Sequence, residues 1–296
     1  ELSDTEIEQI ARGWVVNMAE HIGPQKDVPA PDVNTNPQTM EWMSDEYEKI
    51  TNDKTKATFT GKPIEYGGSE GRGEATGQGG FYALEEIASK LKLNPTQSSI
   101  IVQGMGNVGY NFAVLAHNAG YKIVGLSDSK GGIYNPDGMD PEELMKVKND
   151  TGSVSNYENG TKLTNEEILE QEADILAPAA LENQITKDNA DKIKAKIVLE
   201  LANGPTSPEA DSVLWEKKIY VIPDVLANAG GVTVSYFEWD QNLKEEHWSE
   251  EKVLKKLEPI MKNAFQDIWK AHEEHEVDIR TAAFMLAVKR IVDAMK

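Results

Sequence analysis

The stretch from Ser98 to Asp128 constrains this chain more than any other. Ile100-Ile101-Val102 is a short, β-branched apolar run, and Gly104-Met105-Gly106-Asn107-Val108-Gly109 follows it as G-x-G-x-x-G. Phe112, Leu115, Ala116 and Ala119 then recur at helical spacing, Gly120 stands where a helix should stop, and Ile123-Val124-Gly125-Leu126 runs into Ser127-Asp128. Strand, glycine turn, helix, strand and an acid about 20 residues past the turn together make the dinucleotide-binding pattern. Gly104 is expected to permit the tight turn, Gly106 to let backbone approach a pyrophosphate, and Gly109 to seat the helix against the strand. The pyrophosphate would lie on the helix N-terminus, where unpaired N–H groups and the helix dipole favour an anion.

The alternation continues downstream. Asp174-Ile175-Leu176-Ala177, Ile197-Val198-Leu199 and Ile219 to Ile222 read as short buried strands, and Pro141 to Asn149, Lys187 to Lys192 and Pro208 to Lys217 as helices. This predicts an α/β protein with a doubly wound, Rossmann-like, mostly parallel sheet covered on both faces. Gly104, Asp128, Ala179 and Asn203 each follow a strand, so they are expected to line one crevice at the carboxyl edge of the sheet.

The flanks read differently. Ser3 and Glu6 form a capping box for an opening helix with Ile7, Ile10, Ala11, Trp14, Val15 and Met18 on one face, stopping at Gly23-Pro24. In the loop from Lys26 to Asn36, Pro29 and Pro31 stiffen the backbone around Asp32; that acid either does chemistry or caps a surface turn. Asn36 and Pro37 start a second helix, and the polar run Thr51 to Ile64 reads as a loop crossing between domains. In the glycine-rich stretch from Tyr66 to Gly80, Arg72, Glu74 and Thr76 are interleaved as a helix begins, which suits close approach of a ligand or of another backbone. From Pro223 the pattern is helical. The expected division is residues 1–60 as part of a substrate domain, 61–224 as the dinucleotide domain and 225–296 as helices returning to the substrate domain.

The net charge of −20 argues against nucleic acid or an anionic membrane as partner. Cysteine is absent, no apolar run is long enough to span a bilayer and no signal-peptide pattern opens the chain, so a cytoplasmic protein is expected. His272-Glu273-Glu274-His275 lacks the H-E-x-x-H spacing and reads as a solvated helix face, with no metal expected.

The segments IGPQKDVPAPDVNT, GKPIEYGGSEGRGEATGQG, GMGNVG, SDSKGGIYNPDG, ANGPTSPEAD and NAGGVTVSYFEW resemble the glutamate dehydrogenase family, in the family's order over nearly the whole chain. The resemblance implies two domains with a cleft between them, a hexamer of identical chains, and reversible oxidative deamination of L-glutamate to 2-oxoglutarate and ammonium with NAD(P). It implies that Asp32 is the acid/base, that Thr76 lies at the nicotinamide end, and that Gly104, Gly106, Asn107, Val108 and Gly109 form the pyrophosphate turn. It further implies that Asp128 meets the adenosine ribose, that Ala179, Ala180 and Asn203 line the cofactor, that Asn228 lies near nicotinamide and substrate, and that Ser235 holds the distal carboxylate. Asp128 favours NAD, while Ser129 and Lys130 stand ready for the 2′-phosphate of NADP. The family's lysine-bearing front region has no counterpart, and Lys26 and Lys62 do not stand in a matching context. The chain is therefore expected to represent the family's last two-thirds, incomplete for catalysis by itself. The alternatives are a nucleotide-binding subunit without catalysis and a dehydrogenase for another amino acid.

Overall fold

The computed structural model describes residues 2–32 and 34–296. In chain order the helices are α1 (Asp4–Met18), α2 (Pro37–Thr51), α3 (Ala75–Leu91), α4 (Asn107–Asn118), α5 (Pro141–Thr151), α6 (Asn165–Leu169), α7 (Pro208–Glu216), α8 (Asp224–Ala227), α9 (Ala229–Lys244), α10 (Glu250–His275) and α11 (Ile279–Ala294). The strands are β1 (Ser99–Gln103), β2 (Lys122–Asp128), β3 (Gly131–Tyr134), β4 (Thr161–Leu163), β5 (Ile175–Pro178), β6 (Ile197–Leu199) and β7 (Tyr220–Ile222). They fall into two compact units, Glu1–Ala75 with Gly231–Leu257 and Thr76–Gly230 with Glu258–Lys296.

The larger unit is built on one sheet in the order β4-β3-β2-β1-β5-β6-β7. β2, β1, β5, β6 and β7 run parallel. Except in the edge strand β7, their side chains are buried almost without interruption, as a sheet covered on both faces requires. β1 is the switch point: the chain winds outward to β2 on one side and to β5 on the other, the place where such sheets leave room for a ligand. One face packs Ile100, Val102, Ile123, Leu126 and Ile175 under α3 and α4; Ile101, Val124, Leu176 and Val198 face a second core with Ile168 and Leu214.

Four features depart from the sequence reading. β3 and β4 add an antiparallel edge. They are short and glycine-bearing, with little apolar alternation to announce them. Lys187 to Lys192 forms only a 3-10 turn at Ala190–Lys192. Thr51 to Ile64 does not cross between units: it stays within the first, where Ala57, Phe59 and Lys62 are buried. Residues 258–296 do not return to the first unit, because Phe265, Ile268, Trp269, Ile279, Ala282 and Ala283 complete the core beneath the sheet.

In the smaller unit α1 starts at the expected capping box of Ser3 and Glu6, and α2 at Asn36 and Pro37. Ala11 and Val15 of α1 pack on Met40, Met43 and Tyr47 of α2 over Phe59, so the opening helix has its own core. Among the described residues no helix is long and apolar enough to cross a membrane.

Candidate active site

In the sheet unit, Gly104 leaves β1 at φ +106°, a conformation that favours glycine, and a Cβ there would stand 2.8 Å from the Ala180 Cβ. This joins Gly104 to Ala179 and Ala180, and the Ala179 N–H donates to Gln103 O (2.8 Å). A Cβ on Gly109 would sit 1.9 Å from the Gly104 carbonyl oxygen, so the third glycine is required by helix-on-strand packing. Gly106 is different. It is exposed, has an ordinary φ of −85°, and a Cβ there would meet nothing within 4 Å. No side chain caps α4 at this position. Its first turn, with Asn107 exposed and Val108 half-buried, is thus open to an anion. Lys148 of α5 donates to Met105 O (2.5 Å), bringing a cation to the turn that the sequence reading missed. An open glycine, an uncapped helix of twelve residues and a nearby ammonium fit a nicotinamide dinucleotide's pyrophosphate.

Thr76 opens α3, and its neighbour Gly77 presses on the backbone of α4 at Phe112 N (2.9 Å from a built Cβ) and Val108 O (3.0 Å). Gly79 lies against Gly230, and Gly80 against Leu201. These glycines therefore serve the approach of other segments of the chain. After β6, the Asn228 amide donates to Asn203 Oδ1 (2.6 Å), so these two expected cofactor residues form one pair. Asp224 fixes that loop by accepting from the Gly204 N–H (2.8 Å). Arg280 of α11 then binds Glu200 (2.7 Å), Asp211 (2.6 Å) and Asp224 (3.4 Å). Burial holds the Glu200 carboxyl above its ordinary value, although its bond to Arg280 works the other way. Burial acts against the Arg280 charge, but its bonds to Glu200 and Asp211 hold it above its ordinary value.

Asp128 is more occupied than its sequence position suggested. It is buried and accepts from Lys130 N (2.8 Å), Ser153 Oγ (3.0 Å) and Val154 N (2.7 Å). Ser129 and Lys130 are the exposed two-residue turn of the β2–β3 hairpin, in which Asp128 pairs with Gly131. His272 is half-buried against Trp269 and bonded to Val277 O, so that part of the His272–His275 cluster packs instead of facing water.

In the smaller unit the Asp32 loop is tied to residues 60 and 61. The Thr60 N–H donates to Pro29 O (3.1 Å), and Pro31 covers Gly61 so closely that a Cβ there would lie 2.6 Å from its ring. Asp32 itself is exposed, and Thr35 Oγ1 bridges its N–H (2.6 Å) and carbonyl (2.7 Å). Ser235 of α9 is buried and receives a hydrogen bond from Arg72 Nε (3.0 Å). Burial draws the Arg72 guanidinium below its ordinary value, and the charge of Glu238 pulls the other way. Next to them Lys62 and Glu238 form an ion pair (2.6 Å) with neither side chain exposed. Arg72 was visible in the sequence as one charge among glycines, but its partner lies 163 residues away. Nothing in the sequence announced the Lys62–Glu238 pair.

Comparison with known proteins decides the family. Residues 67–296 match the model described as glutamate/leucine/phenylalanine/valine dehydrogenase, and residues 1–49 match that family's dimerisation domain. The chain belongs to this dehydrogenase family. It is 49% identical to glutamate dehydrogenase of Thermotoga maritima over 296 residues, 100% of this chain and 71% of that protein. It is 46% identical to an NADP-specific glutamate dehydrogenase of Halobacterium salinarum, over 99% of this chain and 71% of the relative. The solved glutamate dehydrogenase of Peptoniphilus asaccharolyticus superposes with a TM-score of 0.86 at 41% identity, covering 100% of this chain and 71% of that one. The expectation that this dehydrogenase lacks the family's front segment is corrected by the match over residues 1–49. Within that match α1 and α2 pack on each other in their own core.

Proposed function

We propose that the chain catalyses the reversible oxidative deamination of L-glutamate to 2-oxoglutarate and ammonium, with a nicotinamide dinucleotide as hydride acceptor. The observation that carries the substrate is the hydrogen bond from the half-buried Arg72 guanidinium to the buried Ser235 hydroxyl. A partly desolvated guanidinium whose hydrogen bond goes to a hydroxyl and not to a carboxylate suits an incoming carboxylate, and an apolar side chain there would leave its charge without an anionic partner. Ser235 and Arg72 hold the distal carboxylate of glutamate. Asp32, fixed by Pro29, Pro31 and Thr35, moves protons on and off the amine. Gly104, Gly106, Asn107, Val108 and Gly109 hold the pyrophosphate. Thr76, Ala179, Ala180 and the Asn203–Asn228 pair hold the rest of the nucleotide, which when bound takes the hydride from the amino acid's α-carbon. Asp128, with Ser129 and Lys130 beside it, receives the adenosine ribose; its charge disfavours a 2′-phosphate, and NAD is the preferred cofactor. The chain works as a homo-oligomer, read as a hexamer, and exposed Ile10, Trp14 and Val16 on α1 support association.

Nucleotide reduction followed at 340 nm with glutamate, leucine, phenylalanine and valine, each with NAD and NADP, tests this reading. Glutamate and NAD should give the highest kcat/KM. A preference for an apolar amino acid overturns the substrate assignment, and a clear NADP preference overturns the role given to Asp128. Light scattering on the same preparation checks the oligomer.

A further inference from the structure

Ser235 and Glu238 stand three residues apart on α9 and so share one face of it. Both meet residues 61–72. Arg72 Nε donates to Ser235, while Glu238 accepts from Gly61 N (2.9 Å), Lys62 N (3.3 Å) and the Lys62 ammonium (2.6 Å). The ammonium also donates to Phe59 O, and Gly68 folds back so tightly that a Cβ there would lie 2.1 Å from Lys62 O. The pair is fully withdrawn from water. A buried ion pair adds little net stability over an apolar pair of the same size, so stability alone does not explain it. Its position does. Glu238 lies close enough for its charge to act on the Arg72 guanidinium. Were Glu238 to lose the Lys62 ammonium, Arg72, bonded to Ser235 three residues away on the same helix face, is a cation whose charge its carboxylate already feels.

We propose that Lys62 is a positioning residue for substrate recognition: by closing a pair with Glu238, it keeps that carboxylate from competing with the substrate's distal carboxylate for Arg72. This rests on the reading that Arg72 and Ser235 receive that carboxylate. Two jobs are thereby divided on one helix face. Glu238 organises the backbone of residues 61 and 62, Lys62 cancels its charge, and Arg72 retains a net positive charge directed at the ligand.

The test is steady-state glutamate oxidation by the intact enzyme. Lys62→Met should raise KM for glutamate by about tenfold or more, with kcat and KM for the nucleotide nearly unchanged. Lys62→Arg should behave as the parent. Lys62→Met/Glu238→Leu removes both charges and should return KM for glutamate to within about threefold of the parent. A double variant as impaired as the single one overturns the proposal; because deleting Glu238 would also relieve a purely structural loss, melting temperatures are read alongside, and a KM for glutamate that rises and recovers only in step with the melting temperature overturns it as well. Should Lys62→Met not fold, the double variant still decides, since the proposal requires near-parental KM from it. Arg72→Met separates the two levels. If it leaves KM for glutamate unchanged, the carboxylate reading itself fails. If it raises KM while Lys62→Met does not, only the role of Lys62 fails.

Discussion

Adding one methyl group at Gly106 and at Gly109 should have opposite consequences, and the structure says why. At Gly109 a Cβ would lie 1.9 Å from the Gly104 carbonyl oxygen and 3.2 Å from Val102 Cγ1. The first neighbour is backbone at the end of the central strand and cannot swing away. Gly109→Ala must therefore lift α4 off β1, an overpacking cost of about 1–3 kcal/mol or more. At roughly 2–4 °C per kcal/mol, melting should fall by about 5 °C. At Gly106 a Cβ meets nothing within 4 Å, and φ is ordinary. Gly106→Ala gives up only part of a helix N-cap preference, at most about 1 kcal/mol, so its melting temperature should fall by no more than about 2–4 °C and by less than that of Gly109→Ala. The space that the methyl fills is the space assigned to the pyrophosphate. The same crowding cost, about 1–3 kcal/mol, then falls on the ligand and weakens NADH binding roughly 5- to 150-fold. Thermal unfolding and NADH fluorescence titration on one preparation read both effects. If Gly106→Ala binds NADH within about threefold of the parent, the pyrophosphate does not lie on this turn. An unshifted melting temperature for Gly109→Ala would refute the packing argument.

Three further outcomes follow from the same geometry. Asp32→Asn keeps the Thr35 and proline contacts of the loop, since these involve its backbone, but removes the proton acceptor; kcat should drop about 100-fold with NADH affinity intact, and near-normal kcat would end its assignment as acid/base. Arg280→Met strands the fully buried Glu200 side chain and should cost about 3 kcal/mol in thermal unfolding, with Arg280→Met/Glu200→Gln recovering much of it; no loss in the single variant would show that the triad of acids does not depend on Arg280. Burial pushes the Asp174 carboxyl up, but its bonds to Lys196 and Ser99 win and hold it below its ordinary value. Its contribution is therefore present above the unfolded carboxylate pKa of about 3.9 and is lost as pH falls through the lower folded value, so Asp174→Asn should flatten the acid limb of stability measured between about pH 5 and 2.

Local chemistry made much of this protein legible before any coordinates. The helix starts at Ser3 and Asn36 depend on a side-chain oxygen meeting an N–H three residues on, which sequence spacing reports directly. The run from β1 through Gly104 to β2 is equally local, and the structure follows it closely. The β3–β4 edge was hidden because its strands are short and earn their pairing from the neighbour, not from their own pattern. Residues 231–257 fall with the first unit as expected, and 258–296 do not, for a related reason. Periodicity tells which face of a helix is apolar but not which core receives it, and for α11 the receiver is the sheet's own core.

The same division runs through the site. Which residue types could serve a dinucleotide and an amino acid was determined by sequence: glycines in a turn, an acid among prolines, a hydroxyl on a helix. Only the tertiary structure decided which of them are spoken for. Asp128 ties the β2–β3 hairpin to the turn at Ser153 and Val154, the glycines of α3 serve its neighbours, and Gly106 alone of the three turn glycines faces open space. It also decided the charge pairs. Arg72 meets Ser235 across 163 residues and Lys62 meets Glu238 across 176, separations at which no local pattern links the partners. A buried charge takes whichever opposite charge or hydroxyl the fold brings within reach, and that choice exists only once the chain has closed.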